Sequence, residues 1–139
     1  MSLVIRSTLK SDMHEVIELL QEVSEFRPKG EDCEAIWEMF SSQPNLTTIV
    51  AVADNRVVGY GSLLVEIKIR GGRMGHIEDI VSHSEYRMRG IGSAIVNALL
   101  NVARDKGCYK VALQSRSGNV HFYEKNGYTI SGVSLQVFL

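Results

Sequence analysis

The chain has 139 residues, 45% of them apolar and 22% charged, with only two prolines. That length suits one domain (residues 1–139) with a single core, and the composition excludes a disordered chain. A formal net charge of -1 excludes recruitment of nucleic acid by a strongly basic surface.

The two cysteines, Cys33 and Cys108, have neither CxxC spacing nor a paired histidine motif. A reduced, cytoplasmic protein is the expectation. No apolar run approaches the length of a bilayer span, so no membrane association is expected. Nor does the start of the chain read as a signal peptide.

In chain order, Val4–Ser7 is a short strand. A helix is predicted from about Asp12 to Val23, with Met13, Val16, Ile17 and Leu20 at helical spacing and Asp12 with Glu15 as a capping box. Phe26–Gly30 reads as a loop and Glu31–Phe40 as a second helix. Leu46–Ala53 is rich in β-branched residues and reads as a strand. Asp54-Asn55 makes a tight turn into a long strand, Val57–Ile69. Gly71-Gly72 turns the chain again into Arg73–Ser82. Ile91–Lys106 carries apolar residues at i, i+3, i+4 and i+7, and Gly107 stands where a helix C-cap is expected. A strand over Cys108–Gln114 follows, then a short helix over Asn119–Asn126 closed by Gly127, and a final strand, Tyr128–Leu139. The order implies an α/β (α+β) domain with a mixed, mostly antiparallel sheet flanked by helices.

The segment Arg87-Met88-Arg89-Gly90-Ile91-Gly92-Ser93 lies between a strand and the clearest helix. Two glycines let backbone amides turn toward a ligand, and the helix start adds the positive end of its dipole. Arg87 and Arg89 add charge, so a pyrophosphate is the ligand such a loop suits. The segment lacks the Lys-Ser or Lys-Thr of a P-loop and the third glycine of a dinucleotide fingerprint.

On β-strand alternation, His76, Glu78 and Ile80 share one face, and Ile77, Asp79 and Val81 the other. Two adjacent acids among apolar residues are candidates for binding an ammonium group or accepting its proton. A bulge would bring both to one cleft. His14, His83 and His121 are scattered, so no metal site is expected. Tyr123 on the last helix is a candidate general acid, and Asn119 a natural helix N-cap.

Arg87–Gly92 resembles the Q/R-x-x-G-x-G/A signature of the GNAT family of N-acetyltransferases. Asn119–Tyr128 resembles that family's later N-x-x-F/Y-Y-x-x-x-G-F/Y segment. Further stretches, Gly75–Ile80, Gly107–Val111 and Gly132–Val137, resemble the branch of the family that acetylates glucosamine 6-phosphate. The resemblance implies acetyl-CoA as co-substrate, with no metal, and a small primary amine, such as an amino sugar phosphate, as acceptor. It implies that Met88, Arg89, Gly90, Ile91, Gly92 and Ser93, with Arg87, hold the pyrophosphate. Ile80, Val81 and Ser82 would pair through their backbone with the pantetheine arm, and Asn119 would touch it. Tyr123 would protonate the leaving thiolate. Glu78 and Asp79 would bind the amino sugar, and Tyr109 and Lys110 its phosphate. A homodimer completed by Val133–Leu139 is also implied. Gln114 stands where that branch has an acid that activates the amine, and Arg116 adds positive charge nearby. Three readings stay open: this sugar phosphate, another small amine, or a coenzyme-binding module without turnover.

Overall fold

The computed structural model describes residues 2–87 and 89–139. Its elements are β1 (Val4–Ser7), α1 (Met13–Leu20), α2 (Cys33–Ser41), β2 (Leu46–Ala53), β3 (Arg56–Ile67), β4 (Arg73–Ser82), α3 (Ile91–Asp105), β5 (Lys110–Leu113) and α4 (Val120–Lys125). The strands form one sheet in the order β1-β2-β3-β4-β5. All neighbours are antiparallel except β4 and β5, which run parallel.

Helices cover both faces. The apolar stripe of α3 (Ile91, Ile95, Leu99, Ala103) packs on Ile49, Ala51, Leu63 and Ile77. On the opposite face Val16 and Leu19 of α1 meet Val50, Tyr60 and Val81. Helix α3 sits close on β3 because glycines line its seat. A Cβ at Gly59 would lie 2.6 Å from Ile95 Cδ1, and one at Gly61 would lie 2.7 Å from Ile95 Cγ2.

The turns follow from backbone chemistry. Asp54 and Asn55 both take positive φ, 52° and 61°, as a two-residue hairpin turn with right-handed strand twist requires. Helix α3 ends as its Gly107 predicts. Gly107 has φ 79°, its N–H bonds Arg104 O at 3.0 Å, and Cys108 N–H bonds Ala103 O at 3.0 Å. Those two bonds form a Schellman cap.

Two expectations fail. Asp12 does not cap α1 with Glu15. It ends a short 3₁₀ turn over Lys10–Asp12, and its carboxylate accepts from Leu9 N at 2.7 Å and from both Arg6 guanidinium nitrogens at 2.7 and 2.9 Å. Glu15 instead accepts from Val57 N at 2.9 Å, tying α1 to the sheet. The final strand, Tyr128–Leu139, is also absent. The segment has alternating apolar residues but pairs with no strand among the described residues of its own chain, and Val133, Leu135, Val137 and Leu139 are exposed. A strand exists only where a neighbour accepts its ladder bonds.

Asp12 carries a stability prediction. Its guanidinium partner holds its carboxyl below the usual carboxylate range. A depressed pKa contributes stability that is present above the unfolded value and lost as pH falls through the folded one. Asp12→Asn is therefore expected to cost about 1.5–3 kcal/mol near neutral pH, the worth of hydrogen bonds to a charged group. In denaturant titrations the difference should begin to shrink as pH falls past about 4, where an unfolded aspartate takes up its proton, and should vanish only below the lower folded value. A difference independent of pH would refute the assignment.

Candidate active site

The site begins where the sheet opens. Parallel pairing of β4 with β5 covers Met74↔Lys110 to Ile77↔Leu113 and stops, because β5 ends at Leu113. Among the described residues, the rest of β4, from Glu78 to Ser82, has no strand on that side. Its edge N–H and C=O groups must find other partners. Ile80, Val81 and Ser82 all lie on this edge.

A bulge shapes the same stretch. Tyr60 pairs with Val81 and Ser62 with Glu78, so Gly61 alone faces Asp79 and Ile80. Asp79 carries the strain, with φ 55°, and Ser62 Oγ donates to Glu78 O at 3.1 Å. The bulge overturns the simple alternation. Ile77 and Ile80 both join the α3-side core, whereas Val81 packs on the α1 side. Glu78 and Asp79 are both exposed rather than buried, since no β5 partner covers this part of the strand. Asp79 also lies close enough to Tyr60 to reinforce the upward push that burial gives that phenol.

Past β4 the chain enters the glycine loop. Gly90 is the N-cap of α3 in the left-handed conformation, φ 75°, and a Cβ there would meet nothing within 4 Å. The first turn of α3 contains no acid. The amides of Ile91, Gly92 and Ser93 belong to that turn, whose N–H groups have no intrahelical acceptor. Together with the helix dipole they suit an anion. Arg87 is exposed and ion-paired with Glu22. Arg89 stands over the Tyr86 ring at 5.2 Å, and Tyr86 is fixed by donating from its hydroxyl to Asp54 Oδ2 at 3.1 Å. Met88 lies outside the described residues.

Helix α4 adjoins this cradle. A Cβ on Gly92 would come within 3.8 Å of Phe122 Cζ. The Tyr123 ring stands edge-on to Phe122 at 5.0 Å and to Tyr128 at 5.5 Å. Half-burial pushes its phenol up, so the proton stays on the oxygen at working pH. Asn119 makes no side-chain cap bond. It ends a 3₁₀ turn over Ser117–Asn119 instead, and its exposed amide is not engaged by the helix.

Gln114 follows β5 directly and is exposed. Arg116 does not project toward an ammonium group. Its guanidinium donates to Val23 O at 2.6 Å, beyond the end of α1. Glu22 and Val23 therefore touch both loops of the groove, through Arg87 and Arg116. Sequence reading missed this bridge, because residues separated by 65 and 93 positions leave no local signal. Tyr109 and Lys110 sit at the other end of β5. Lys110 pairs with Met74, four residues before Glu78, or about 13 Å along the strand. One chain thus does not bring them beside the two acids. A cavity of about 430 Å³ lies between α1 and the ends of β3 and β4, lined by Glu18, Glu22, Arg56 and His83 among others. It does not include Glu78, Asp79 or Tyr123. Among the described residues no group of three or more His, Cys, Asp or Glu side chains is placed to hold a metal.

The profile of the Acetyltransferase (GNAT) family matches residues 13–128, and the chain belongs to that family as an acyltransferase. It is 38% identical to a glucosamine 6-phosphate N-acetyltransferase of Trypanosoma brucei brucei, over 91% of this chain and 88% of that one. The Dictyostelium discoideum glucosamine 6-phosphate N-acetyltransferase 1 is 34% identical over 88% and 81%. The crystal structure of the Arabidopsis thaliana glucosamine-6-phosphate N-acetyltransferase superposes with a TM-score of 0.90 at 28% identity, covering 99% of each chain.

Proposed function

We propose that the protein transfers an acetyl group from acetyl-CoA to the amine of glucosamine 6-phosphate by direct attack, with Tyr123 as general acid. The observation that carries this reading is the unpaired edge Glu78–Ser82 leading into the Gly90 cradle. The residues present fit a coenzyme. Open backbone groups suit the amides of a pantetheine arm, and an acid-free helix start suits a diphosphate. The bound thioester supplies the activated acyl group.

The chain's own groups do the rest. A backbone N–H on the opened edge of β4 stabilises charge as it builds on the carbonyl oxygen. Glu78 and Asp79, held outward by the bulge, bind the substrate ammonium and accept its proton directly or through water. Tyr123 donates to the departing sulfur. The two curated relatives named for this sugar, each aligned over most of both chains, support the acceptor. The reading includes a homodimer. The exposed Val133, Leu135, Val137 and Leu139 alternate as a strand does, and a second copy offers the partner that one chain lacks.

The test is free-thiol release from acetyl-CoA across a panel of amines. Release with glucosamine 6-phosphate supports the proposal, and release only with other amines refutes it. A second acceptor class is favoured by one observation, Gln114 at the end of β5. A glutamine orients an amine but takes no proton from it. If deprotonation limits the rate, Gln114→Glu should raise sugar turnover by about tenfold or more, as a positioned base does. A fall in kcat would show that Gln114 is matched to a different amine.

A further inference from the structure

We propose that His76 relays the acceptor's proton from Glu78 to solvent, with Glu66 fixing its imidazole ring. This rests on the acetyl-transfer reading above and adds a residue to it. The register places the side chain. Leu64 pairs with His76 and Ser62 with Glu78, so the ladder is regular here. His76 and Glu78 therefore leave β4 on one face, about 7 Å apart along the strand. That face is the one away from α3, because Ile77 and Leu63 join the α3-side core.

Helix α1 covers the far end of this face, at Val50, Tyr60 and Val81. Toward His76 the cover thins, and Leu64, in the middle of the central strand, is 40% exposed. On the other side His76 pairs with Ala112 of β5. Extended by two residues, the same parallel register sets Gln114 level with Glu78. The imidazole thus stands on an open floor beside the two positions already argued to meet the amine. The charged groups around it are Glu66 and Lys68 from β3, Glu78 on β4 itself, and Lys110 diagonally across β5.

The ring is already oriented. His76 Nε2 lies 2.9 Å from Glu66 Oε1, and Lys68 Nζ donates to the same oxygen at 3.2 Å. The histidine and lysine contacts hold the Glu66 carboxyl below its usual range, so Glu66 is an anion that only accepts. Nε2 must then carry the hydrogen, and the lone pair of the neutral ring falls on Nδ1. Nδ1 has no partner among the described residues. A carboxylate ordinarily titrates near ~4.3 and an imidazole near ~6.5, so an imidazole holds an amine's proton about a hundredfold better. In the relay an ammonium N–H bond breaks and its electron pair stays on nitrogen. The proton passes to Glu78, directly or through water, and then to Nδ1. The imidazolium returns it to solvent.

The test is chemical rescue. His76→Ala and the unaltered enzyme would be assayed with acetyl-CoA and glucosamine 6-phosphate at fixed pH and ionic strength, over rising concentrations of imidazole. His76→Ala should lose about 10²-fold in kcat, the low end for a positioned proton acceptor, with KM for acetyl-CoA unchanged. Its rate should climb with added imidazole, whereas that of the unaltered enzyme should not. Glu66→Gln should also lower kcat, because it no longer fixes the tautomer. His76→Gln keeps a polar side chain on the strand and should show the same loss if the alanine variant folds poorly. An unchanged kcat in either His76 variant would overturn the proposal. So would a loss in His76→Ala that imidazole leaves untouched, or one confined to KM for the sugar, since either marks a structural or binding role. Turnover by the unaltered enzyme tests the acceptor separately, and its absence brings down that reading and the relay together.

Discussion

Tyr123→Phe is expected to lower kcat by about 10²-fold while leaving acetyl-CoA affinity nearly unchanged, the pattern of an interaction made as the bond breaks. Phenylalanine keeps the edge-on packing against Phe122 and Tyr128, so the helix beside the cradle should stay in place. What disappears is the hydroxyl. Burial holds that phenol above its ordinary value, whereas a thiol ordinarily titrates near ~8.5. On the proposed mechanism, full proton transfer to sulfur would therefore be uphill, and Tyr123 would act mainly by donating a hydrogen bond as charge develops. That is why the low end of the general-acid range, about 10² rather than 10⁴, is expected. A single-turnover rate isolates the chemical step from product release. An unchanged rate there removes Tyr123 from the mechanism.

The parts of the fold that could be read from sequence are those set by local chemistry. The stripe of α3, the Asp54-Asn55 turn and the Gly107 cap each depend on a few neighbouring residues. The glycine loop was legible for the same reason, since Gly90 needs positive φ and leads straight into a periodic helix. The misreadings lie where the partner is distant. Glu15 has the spacing of a capping box, but the Val57 amide claims it. Tyr128–Leu139 has the pattern of a strand, but pattern does not supply a neighbour. The faces of β4 could not be assigned from alternation, because one extra residue opposite Gly61 reverses them. That both acids reach one open edge was legible only as a conditional, dependent on that bulge. Arg116 read as a threat to an ammonium site because its acceptor, Val23 O, lies in the turn after α1, 93 positions away.

Gly61→Ala is expected to destabilise the protein and to weaken coenzyme binding. The added Cβ would lie 2.6 Å from Ile80 Cδ1, 2.7 Å from Ile95 Cγ2 and 3.1 Å from Leu99 Cδ1. Alanine at a compatible site gains about 0.4–1 kcal/mol by narrowing the unfolded ensemble. Overpacking a filled core costs about 1–3 kcal/mol, so the loss wins. Gly30→Ala is the control with the opposite expectation, because a Cβ there meets nothing within 4 Å. The strain at Gly61 has an outlet. Ile95 and Leu99 are fully buried, but Ile80 is only partly buried and sits in the bulge, where no β5 partner holds it. Ile80 is therefore expected to move, and with it the backbone edge proposed to meet the pantetheine arm. Thermal melts should show the stability loss, and calorimetry with CoA should show a raised Kd. If the melting temperature falls while CoA affinity holds, the arm does not run along Ile80 and the groove must be redrawn from the loop side.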